Sequence, residues 1–419
     1  MHHSISSIFA GSFNMNGVQI SSLDASKWLQ KERSKKLPSA IESDLVILSL
    51  QECPSAPSTD HDTTRIDGIP IIRVLASLST SSSIRVEDKV QTTIQKALSS
   101  QHTLIADIAM GEPTSSTSDS EEDLKWYGFV RLLIFVKYNV LESIDHLFTN
   151  KNLIPILAPA GRKADGCTGY EYPLNRSPDK GGICLYISSM NLLICSFHLC
   201  GTNAYEIPES DFDSIRINEL NIIGKECYKV IGNNPYDSII CGDLNFRVEV
   251  HNSPEDKTRG GNDFQAVHAV LKEDDPTTVQ HLFRNQDRLF RLLQYLEGDR
   301  SVDAVDERTF SKLDEKAQIL MEVRDTIEMH IDNNGKNDDA LFHPTFTFET
   351  KAAIDSRRGL PASISRSYSK KRTPAWTDRI LVSKRLLQKG WSLDACCADH
   401  SVLSSDHVPV FAGLTFKPK

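Results

Sequence analysis

The chain has 419 residues, of which 39% are hydrophobic and 25% charged, a composition typical of globular proteins and unlike that of disordered ones. Its 47 basic and 56 acidic residues give a formal net charge of −9, which argues against sequence-independent DNA binding because such binding needs a dominating positive field. No window of about 18 consecutive apolar residues occurs, so we expect no membrane-spanning helix. We expect no signal peptide, and the nine irregularly spaced cysteines predict reduced, buried thiols in a cytoplasmic protein.

Short apolar runs predict buried strands along most of the chain. In chain order they are residues 7–13, 45–50, 130–136, 182–187, 192–198, 238–241, 379–382 and 408–414. Amphipathic spacing predicts helices at 87–98, 215–230, 262–271, 279–296 and 312–330. Polar stretches at 54–70, 110–123 and 332–339 predict loops. Because strands and helices alternate, the predicted class is α/β or α+β.

Polar residues cluster where the predicted strands end, as reactive groups commonly do in α/β proteins. Asn14-Met15-Asn16-Gly17, Gln51-Glu52, His198 and Gly242-Asp243-Leu244-Asn245 follow strands, whereas Trp376-Thr377-Asp378-Arg379 and Ser405-Asp406-His407 lie at the starts of strands. Taken singly, each cluster is more typical of a turn, a helix cap or a core histidine. Their common position at strand ends favours one shared site.

The chemistry of these residues indicates a magnesium-dependent reaction. Carboxylate and amide oxygens are hard ligands, which suit Mg²⁺ better than Zn²⁺. Mg²⁺ needs only one or two protein carboxylates when a substrate phosphate completes its shell. An aspartate beside a histidine can orient and charge the ring, and a second aspartate can take a proton from water. The set therefore predicts metal-assisted hydrolysis of a phosphate ester.

The chain resembles the inositol polyphosphate 5-phosphatases, within the endonuclease/exonuclease/phosphatase superfamily, over nearly its whole length. The matching motifs are Phe13-Asn14-Met15-Asn16-Gly17, Leu50-Gln51-Glu52, Lys180-Gly181-Gly182, Phe197-His198-Leu199, Gly242-Asp243-Leu244-Asn245-Phe246-Arg247, Pro344-Thr345-Phe346-Thr347, Lys370-Lys371-Arg372-Thr373-Pro374-Ala375-Trp376-Thr377-Asp378-Arg379-Ile380-Leu381 and Ser405-Asp406-His407-Val408-Pro409-Val410. Gly-Asp-Leu-Asn and Ser-Asp-His-x-Pro-Val mark only the superfamily. Pro-Ala-Trp-x-Asp-Arg-Ile-Leu, together with Gly-Asp-Leu-Asn-Phe-Arg, is specific to the 5-phosphatases.

The resemblance implies a role for each matched position. The catalytic residues would be Asp243, which positions and deprotonates water, Asn245, His407 held by Asp378, His198 and Asn14. The Mg²⁺ residues would be Glu52, Asn16 and Asp406. The substrate-binding residues would be Lys180, Arg247, Lys370 and Arg372. In-line attack concentrates charge on the phosphoryl oxygens, and a metal and an imidazole donor offset that charge.

The chain departs from the family pattern at residues expected to recognise substrate. The family's second histidine, in His-Leu-Ala-Ala-His, is replaced by Thr202, and the lysine of Pro-Thr-Tyr-Lys by Thr347. The segment 351–372 is rich in Lys and Arg. It reads equally well as a solvated loop or as an electropositive funnel for a polyphosphorylated headgroup, in which Lys370 and Arg372 are the recognition candidates.

The resemblance implies a two-sheet β-sandwich flanked by helices on both outer faces. We expect one catalytic domain over 1–419, with insertions near 54–123, 160–178 and 299–339. The expected substrate is a phosphoinositide such as PI(4,5)P₂ or a soluble inositol polyphosphate, bound by a monomer with peripheral membrane contact and no nucleic acid. Two alternatives are a nuclease or sphingomyelinase-like phosphodiesterase, against which the acidic charge and the Pro-Ala-Trp stretch argue, and a catalytically weak binding module, against which the intact catalytic set argues.

Overall fold

The computed structural model describes residues 5–30, 39–56, 65–66, 69–70, 72–76, 89–111, 128–159, 180–201, 209–249, 264–273, 275–299, 304–314, 319–334, 342–349, 368–369 and 373–417. The strands are β1 Ser7–Asn14, β2 Leu45–Cys53, β3 Arg65–Ile66, β4 Ile69–Pro70, β5 Ile72–Ala76, β6 His102–Gly111, β7 Phe129–Lys137, β8 Leu153–Pro159, β9 Gly181–Ile187, β10 Leu192–His198, β11 Asp237–Asp243, β12 Val323–Asp325, β13 Asp378–Ser383, β14 Trp391–Ala398 and β15 Val410–Phe416. The helices are α1 Ser22–Gln30, α2 Lys89–Ala97, α3 Tyr138–Ile144, α4 Glu209–Ile231, α5 Phe264–Glu273, α6 Pro276–Gln286, α7 Arg288–Leu296, α8 Ala304–Phe310, α9 Thr326–Asn334 and α10 Lys384–Gln388.

These strands form two large mixed sheets and one small hairpin. The seven-stranded sheet has the order β14-β15-β1-β2-β7-β6-β5, and the six-stranded sheet has the order β12-β13-β11-β10-β9-β8. Three neighbouring pairs are parallel, namely β1 with β2, β5 with β6 and β10 with β11. The hairpin joins β3 and β4. All eight predicted strands are therefore present, each within a few residues of its predicted ends.

The inner faces of the two sheets pack on each other, and helices cover both outer faces. Along β1, Ile8 and Ala10 join the same core cluster as Ile194 of the other sheet. The alternate residue Phe9 points outward into a cluster with Trp28 of α1, as the two-residue period of a strand requires. A third cluster lies between the six-stranded sheet and helices α4 and α7. This arrangement confirms the predicted two-sheet sandwich.

Two of the predicted helices were wrong in their extent. The predicted helix 279–296 is broken at Asp287, which has extended backbone angles and whose carboxylate caps α7 by accepting from the Phe290 N–H. The predicted helix 312–330 is replaced by strand β12 and helix α9. In both places a buried aspartate binds Arg379 of β13. The Arg379 guanidinium contacts Asp287 at 2.8 Å and Asp325 at 2.6 Å.

The ranges predicted as insertions contribute strands to the large sheets. Residues 54–123 include β5, α2 and β6, and two of these are strands of the seven-stranded sheet. Residues 299–339 include β12, the edge strand of the six-stranded sheet. The predicted insertion at 160–178 lies outside the described residues, and the single-domain organisation stays a prediction.

The cysteines of the described part behave as the sequence predicts. Eight are free, and all but Cys397 are buried. Burial raises the pKa of the Cys241 thiol well above its ordinary value, which favours the inert, protonated form. Over the described residues, no helix combines the length and apolar character that a bilayer crossing would require.

Candidate active site

The polar strand ends converge on one edge of the sandwich. In the seven-stranded sheet, Asn14 at the end of β1 lies beside Gln51 of β2. In the six-stranded sheet, Asp243 at the end of β11 lies between His198 of β10 and Asp378 of β13. The parallel pairs β1–β2 and β10–β11 explain this placement, because parallel strands bring their carboxyl ends to the same edge.

The two sheets meet through side chains at this edge. The Asn14 amide donates to Asp243 Oδ2 at 2.9 Å and to Glu52 Oε1 at 3.3 Å. The His198 Nε2 atom lies 3.6 Å from Glu52 Oε1 and 3.8 Å from Asp243 Oδ2. Glu52 keeps 29% of its side chain exposed, whereas the other three are buried. One carboxylate therefore faces solvent above a buried polar centre.

Backbone geometry directs several of these side chains. Asn16, Glu52 and Asn245 have positive φ angles of 49°, 47° and 57°. The pairing of β2 with β7 shifts register between Leu50 and Cys53, so Glu52 lies in a bulge that re-aims its side chain. A Cβ atom on Gly128 would come within 2.6 Å of the Glu52 Cα atom, so only glycine accommodates the bulge there.

The turn after β11 places Asn245 beside Asp243. Gly242 has φ 153°, and a Cβ there would lie 2.2 Å from the Phe197 carbonyl oxygen, so this position requires glycine. The Asn245 N–H donates to Asp243 Oδ1 at 3.0 Å, and the Asn245 amide donates to the Leu199 carbonyl at 2.9 Å. Asp243 is thus held by donors on both carboxylate oxygens.

A second buried pair joins β13 to the segment before β15. His407 Nδ1 lies 2.9 Å from Asp378 Oδ2, and His407 Nε2 lies 3.9 Å from Asp243 Oδ2. The hydroxyl groups of Thr345 and Thr377 also donate to Asp378 Oδ2, at 2.8 Å and 3.0 Å. Asp378 therefore orients the ring so that its other nitrogen points toward Asp243.

The charges in the site set the protonation of its groups. Burial opposes the charged ring of His407, but the charge and hydrogen bond of Asp378 raise its pKa to about 9. Burial alone would raise the pKa of Asp243, but the positive charges of His407, His198 and Lys180 lower it to about 2. Near neutral pH the site thus holds an imidazolium next to an ionised carboxylate.

The predicted substrate-binding residues fall into two groups. The Lys180 Nζ atom contacts the His198 ring. The Arg247 Nη2 atom donates to Asn245 Oδ1 at 2.7 Å, and its guanidinium lies 4.4 Å above the Phe346 ring. Both cations therefore border the site. Lys370 and Arg372 lie outside the described residues.

The predicted metal residues lie around the same centre. Glu52 contacts the Asn14 amide, the Asn16 N–H donates to Asn14 Oδ1 at 3.0 Å, and Asp406 precedes His407 with a half-buried side chain.

Within the described residues, Asp243, Asp378 and His407 also bring one potential ligand atom each to within 4.8 Å of one another. Asp378 Oδ1 is buried without a hydrogen-bond partner. The protonated His407 ring offers a metal no lone pair at this trio, whereas the partly exposed carboxylate of Glu52, with the oxygens of Asn16 and Asp406, suits a hard divalent cation.

Supporting residues that the sequence analysis did not single out complete the site. Ser405 donates from Oγ to the Asn14 carbonyl at 2.7 Å and accepts from the His407 N–H at 3.1 Å. Thr345 and Thr377 hold Asp378, as described above. The signal available in the sequence was their position inside the motifs that carry the acids and histidines.

The comparisons with known proteins leave the activity open. Residues 262–413, a little over a third of the chain, match the model of the Endonuclease/Exonuclease/phosphatase family 2. No curated protein matches the chain.

Three solved structures illustrate the range of similar folds. The inositol polyphosphate 5-phosphatase domain of SpSynaptojanin, in complex with inositol (1,4)-bisphosphate and calcium, is 15% identical with a TM-score of 0.47 over 98% of this chain and 83% of that one. Cimex nitrophorin is 12% identical with a TM-score of 0.47 over 99% of each chain. The AP endonuclease LMAP from Leishmania major is 10% identical with a TM-score of 0.40 over 98% and 89%. At such identities these likenesses do not choose among the three kinds of protein.

Proposed function

We propose that this protein is a Mg²⁺-dependent phosphoesterase of the endonuclease/exonuclease/phosphatase superfamily. In this proposal it removes the 5-phosphate from phosphoinositides such as PI(4,5)P₂ or from soluble inositol polyphosphates. The observation that carries the proposal is the meeting of both sheets at Asp243, which contacts Asn14 of one sheet and His198 of the other. A purely structural role would not require so many ionisable side chains at one solvent-facing edge.

In the proposed reaction, Asp243 accepts a hydrogen bond from the attacking water and takes its proton. The low pKa of Asp243 keeps the carboxylate ionised, so it is available as an acceptor throughout the neutral range. The Asn245 N–H and the Asn14 amide fix its two oxygens, which limits the directions from which water can approach. Asp243 therefore acts chiefly by orienting the nucleophile.

His407 supplies positive charge to the phosphoryl group. Its raised pKa keeps the ring protonated near neutral pH, and the ring donates its Nδ1 hydrogen bond to Asp378. The Nε2 hydrogen is then free to be donated to a phosphoryl oxygen, where negative charge grows during in-line attack. This role is that of a fixed donor, because a ring with such a pKa releases its proton reluctantly.

Glu52 and Asn16, with Asp406 nearby, would hold the Mg²⁺ ion. Bound there, the ion would neutralise charge on the phosphoryl oxygens as a Lewis acid. Oxygen ligands support Mg²⁺ over softer metals.

The choice of an inositol phosphate over a nucleic acid rests on the sequence. The stretch Pro374-Ala375-Trp376-Thr377-Asp378-Arg379-Ile380-Leu381 resembles the motif of the 5-phosphatases, and a net charge of −9 disfavours a polyanionic duplex. The cations Lys180 and Arg247, which border the site, offer local charge for a small polyphosphorylated ring.

A substrate panel tests this proposal. Purified protein is incubated with PI(4,5)P₂ vesicles, inositol 1,4,5-trisphosphate and abasic DNA, each with Mg²⁺ and with EDTA. Asp243→Asn is compared with Asp237→Asn, which changes a buried carboxylate at the opposite end of the same strand. The expected result is phosphate release from an inositol substrate that falls by about 10²-fold or more in Asp243→Asn and persists in Asp237→Asn.

Each alternative has its own outcome. Phosphate release from PI(4,5)P₂ vesicles would identify a lipid substrate, and phosphate release from inositol 1,4,5-trisphosphate would identify a soluble one. Nicking of DNA without release of inositol phosphate would replace the proposal by a nuclease. Binding of an inositol phosphate without turnover would leave a binding module and refute the catalytic roles assigned here.

A further inference from the structure

A chain of buried hydrogen bonds crosses between the two sheets directly below the site. The Ser12 hydroxyl donates to Gln51 Oε1 at 3.4 Å, and Gln51 Nε2 donates to Ser49 Oγ at 2.6 Å. Ser49 Oγ and Ser196 Oγ are 2.7 Å apart, and the Ser196 hydroxyl donates to the Arg131 carbonyl at 3.5 Å. If every group donates to the next one, from Ser12 to the Arg131 carbonyl, each of these hydrogen bonds has one donor and one acceptor.

This polar chain is unusual for its surroundings. Ser12, Gln51, Ser49 and Ser196 are all 0% exposed, and the space between the sheets is otherwise filled by apolar side chains. Their complete burial excludes direct contact with substrate or solvent. A buried hydroxyl group without a partner is costly, so the hydrogen bonds are retained only when the two sheets keep one relative position.

Ser12 and Ser196 of this hydrogen-bonded series lie two positions before site residues on the same strands. Side chains two positions apart on a strand share a face, so Ser12 lies below Asn14 and Ser196 lies below His198. Gln51 directly precedes Glu52. Ser196 belongs to the six-stranded sheet, whereas Ser49 and Arg131 belong to the seven-stranded sheet. The Ser196 hydroxyl therefore joins the two sheets twice, through Ser49 Oγ and through the Arg131 carbonyl.

Apolar packing alone fixes the relative position of the two sheets less precisely than a hydrogen bond does. Dispersion contacts are individually weak and non-directional, whereas a hydrogen bond fixes both distance and angle. The site itself is split between the sheets: Glu52 lies on β2 and His198 on β10, 3.6 Å apart. A directional link immediately below would hold that separation.

We propose that Ser49 and Ser196, the inter-sheet serine pair, are positioning residues for the active site. Their mutual hydrogen bond sets the register of the two sheets and so aligns Glu52 and Asn14 with His198 and Asp243. The catalytic consequence rests on the proposed function, whereas the geometric consequence does not. Neither serine touches substrate; both act through the residues above them.

The test compares Ser49→Ala, Ser196→Ala and the double variant with Ser43→Ala. Ser43 is also 0% exposed, but it precedes the opposite end of β2 and bonds to the Ser39 carbonyl. We expect kcat to fall about ten-fold or more in each single variant, with KM nearly unchanged, because small misplacements of reacting groups are costly. The double variant should lose no more than Ser196→Ala, since Ser196→Ala already removes both hydrogen bonds that join the sheets. Ser43→Ala should keep its kcat.

Crystal structures of the same variants test the geometry without activity. The Glu52 Oε1 to His198 Nε2 separation should lengthen in Ser196→Ala and stay unchanged in Ser43→Ala. If the native protein hydrolyses no substrate, the proposed function fails and this measurement alone decides the positioning role. An unchanged separation, or single-variant losses in kcat that multiply in the double variant, would overturn the proposal.

Discussion

Glu219 offers a sharp test of the electrostatics around the site. It lies on α4 with 7% of its surface exposed, and its Oε2 atom accepts the Cys200 N–H at 2.7 Å. Burial raises the pKa of Glu219 to about 7, although the Cys200 hydrogen bond and the charges of Lys180 and Arg216 act in the opposite direction. The carboxyl group therefore anchors the segment that follows His198 in its neutral form below pH 7 and becomes charged as the pH rises above 7.

The sign of the pH effect follows from the two states. An unfolded Glu219 titrates near the ordinary value of 4.5, and the native one near 7, so the native state binds more protons between these values. Stability from this group is full below pH 4.5 and is lost as the pH rises through 7. Between pH 5 and pH 8 the native protein should lose about 2–3 kcal/mol from Glu219 alone.

Urea unfolding of the native protein and of Glu219→Gln measures this loss. Glutamine keeps an acceptor for the Cys200 N–H but does not ionise, so the stability difference between the two proteins should change by about 2–3 kcal/mol from pH 5 to pH 8. Glu142→Gln, on the exposed side of α3, is the control and should run parallel to the native protein. Parallel curves for Glu219→Gln as well would refute the reasoning.

Three further predictions address the site and its support. Asp378→Asn should lower the pKa of His407 below its native value of about 9 and reduce kcat by about 10²-fold; an unchanged NMR titration of the ring would contradict this. Arg379→Met leaves Asp287 and Asp325 buried without their cation, and should reduce the free energy of unfolding by about 3–5 kcal/mol, whereas a urea midpoint close to the native one would show that the carboxylates are neutral. EDTA should abolish phosphate release and added Mg²⁺ should restore it; activity that survives EDTA would remove the metal from the mechanism.

The eight strands that were predicted are mostly buried on both faces, whereas β6 and β8 were missed although β6 is buried along its whole length. A continuous apolar run such as 192–198 needs no knowledge of its neighbours to be recognised. Strand β14 was missed because it is an edge strand whose residues alternate in exposure, with Ser392 and Asp394 half-buried. An edge strand is left uncovered on its open side, so it carries polar residues there. Its sequence therefore resembles that of a loop.

The errors in the helices have a different origin. The pattern through 279–296 is apolar at helical spacing on both sides of Asp287, and nothing local forbids one continuous helix. The break depends on Arg379, 92 residues away in the sequence, whose guanidinium binds Asp287. Tertiary contacts of this length override local propensity and cannot be read from a local window.

In the candidate site, too, some residues could be predicted from local sequence and others could not. The residues that carry charge, such as Asp243 and His407, were predictable from short motifs. The residues that hold them in place were not, because their partners are remote: the Ser405 hydroxyl bonds to the Asn14 carbonyl across 391 positions. Serine and threonine are common in turns for local reasons, so their presence in a motif gives little indication of a long-range contact.

The backbone at Glu52 adds an argument that side-chain chemistry does not supply. Asparagine adopts a left-handed conformation at small cost, so the positive φ angles of Asn16 and Asn245 are compatible with ordinary turns. Glutamate has no such tolerance, and a φ of 47° at Glu52 costs of order 1–3 kcal/mol. A turn could avoid that cost with glycine or asparagine, which would lack the carboxylate. A glutamate in this bulge places a carboxylate at the open side of the site, which is where the proposed Mg²⁺ would bind.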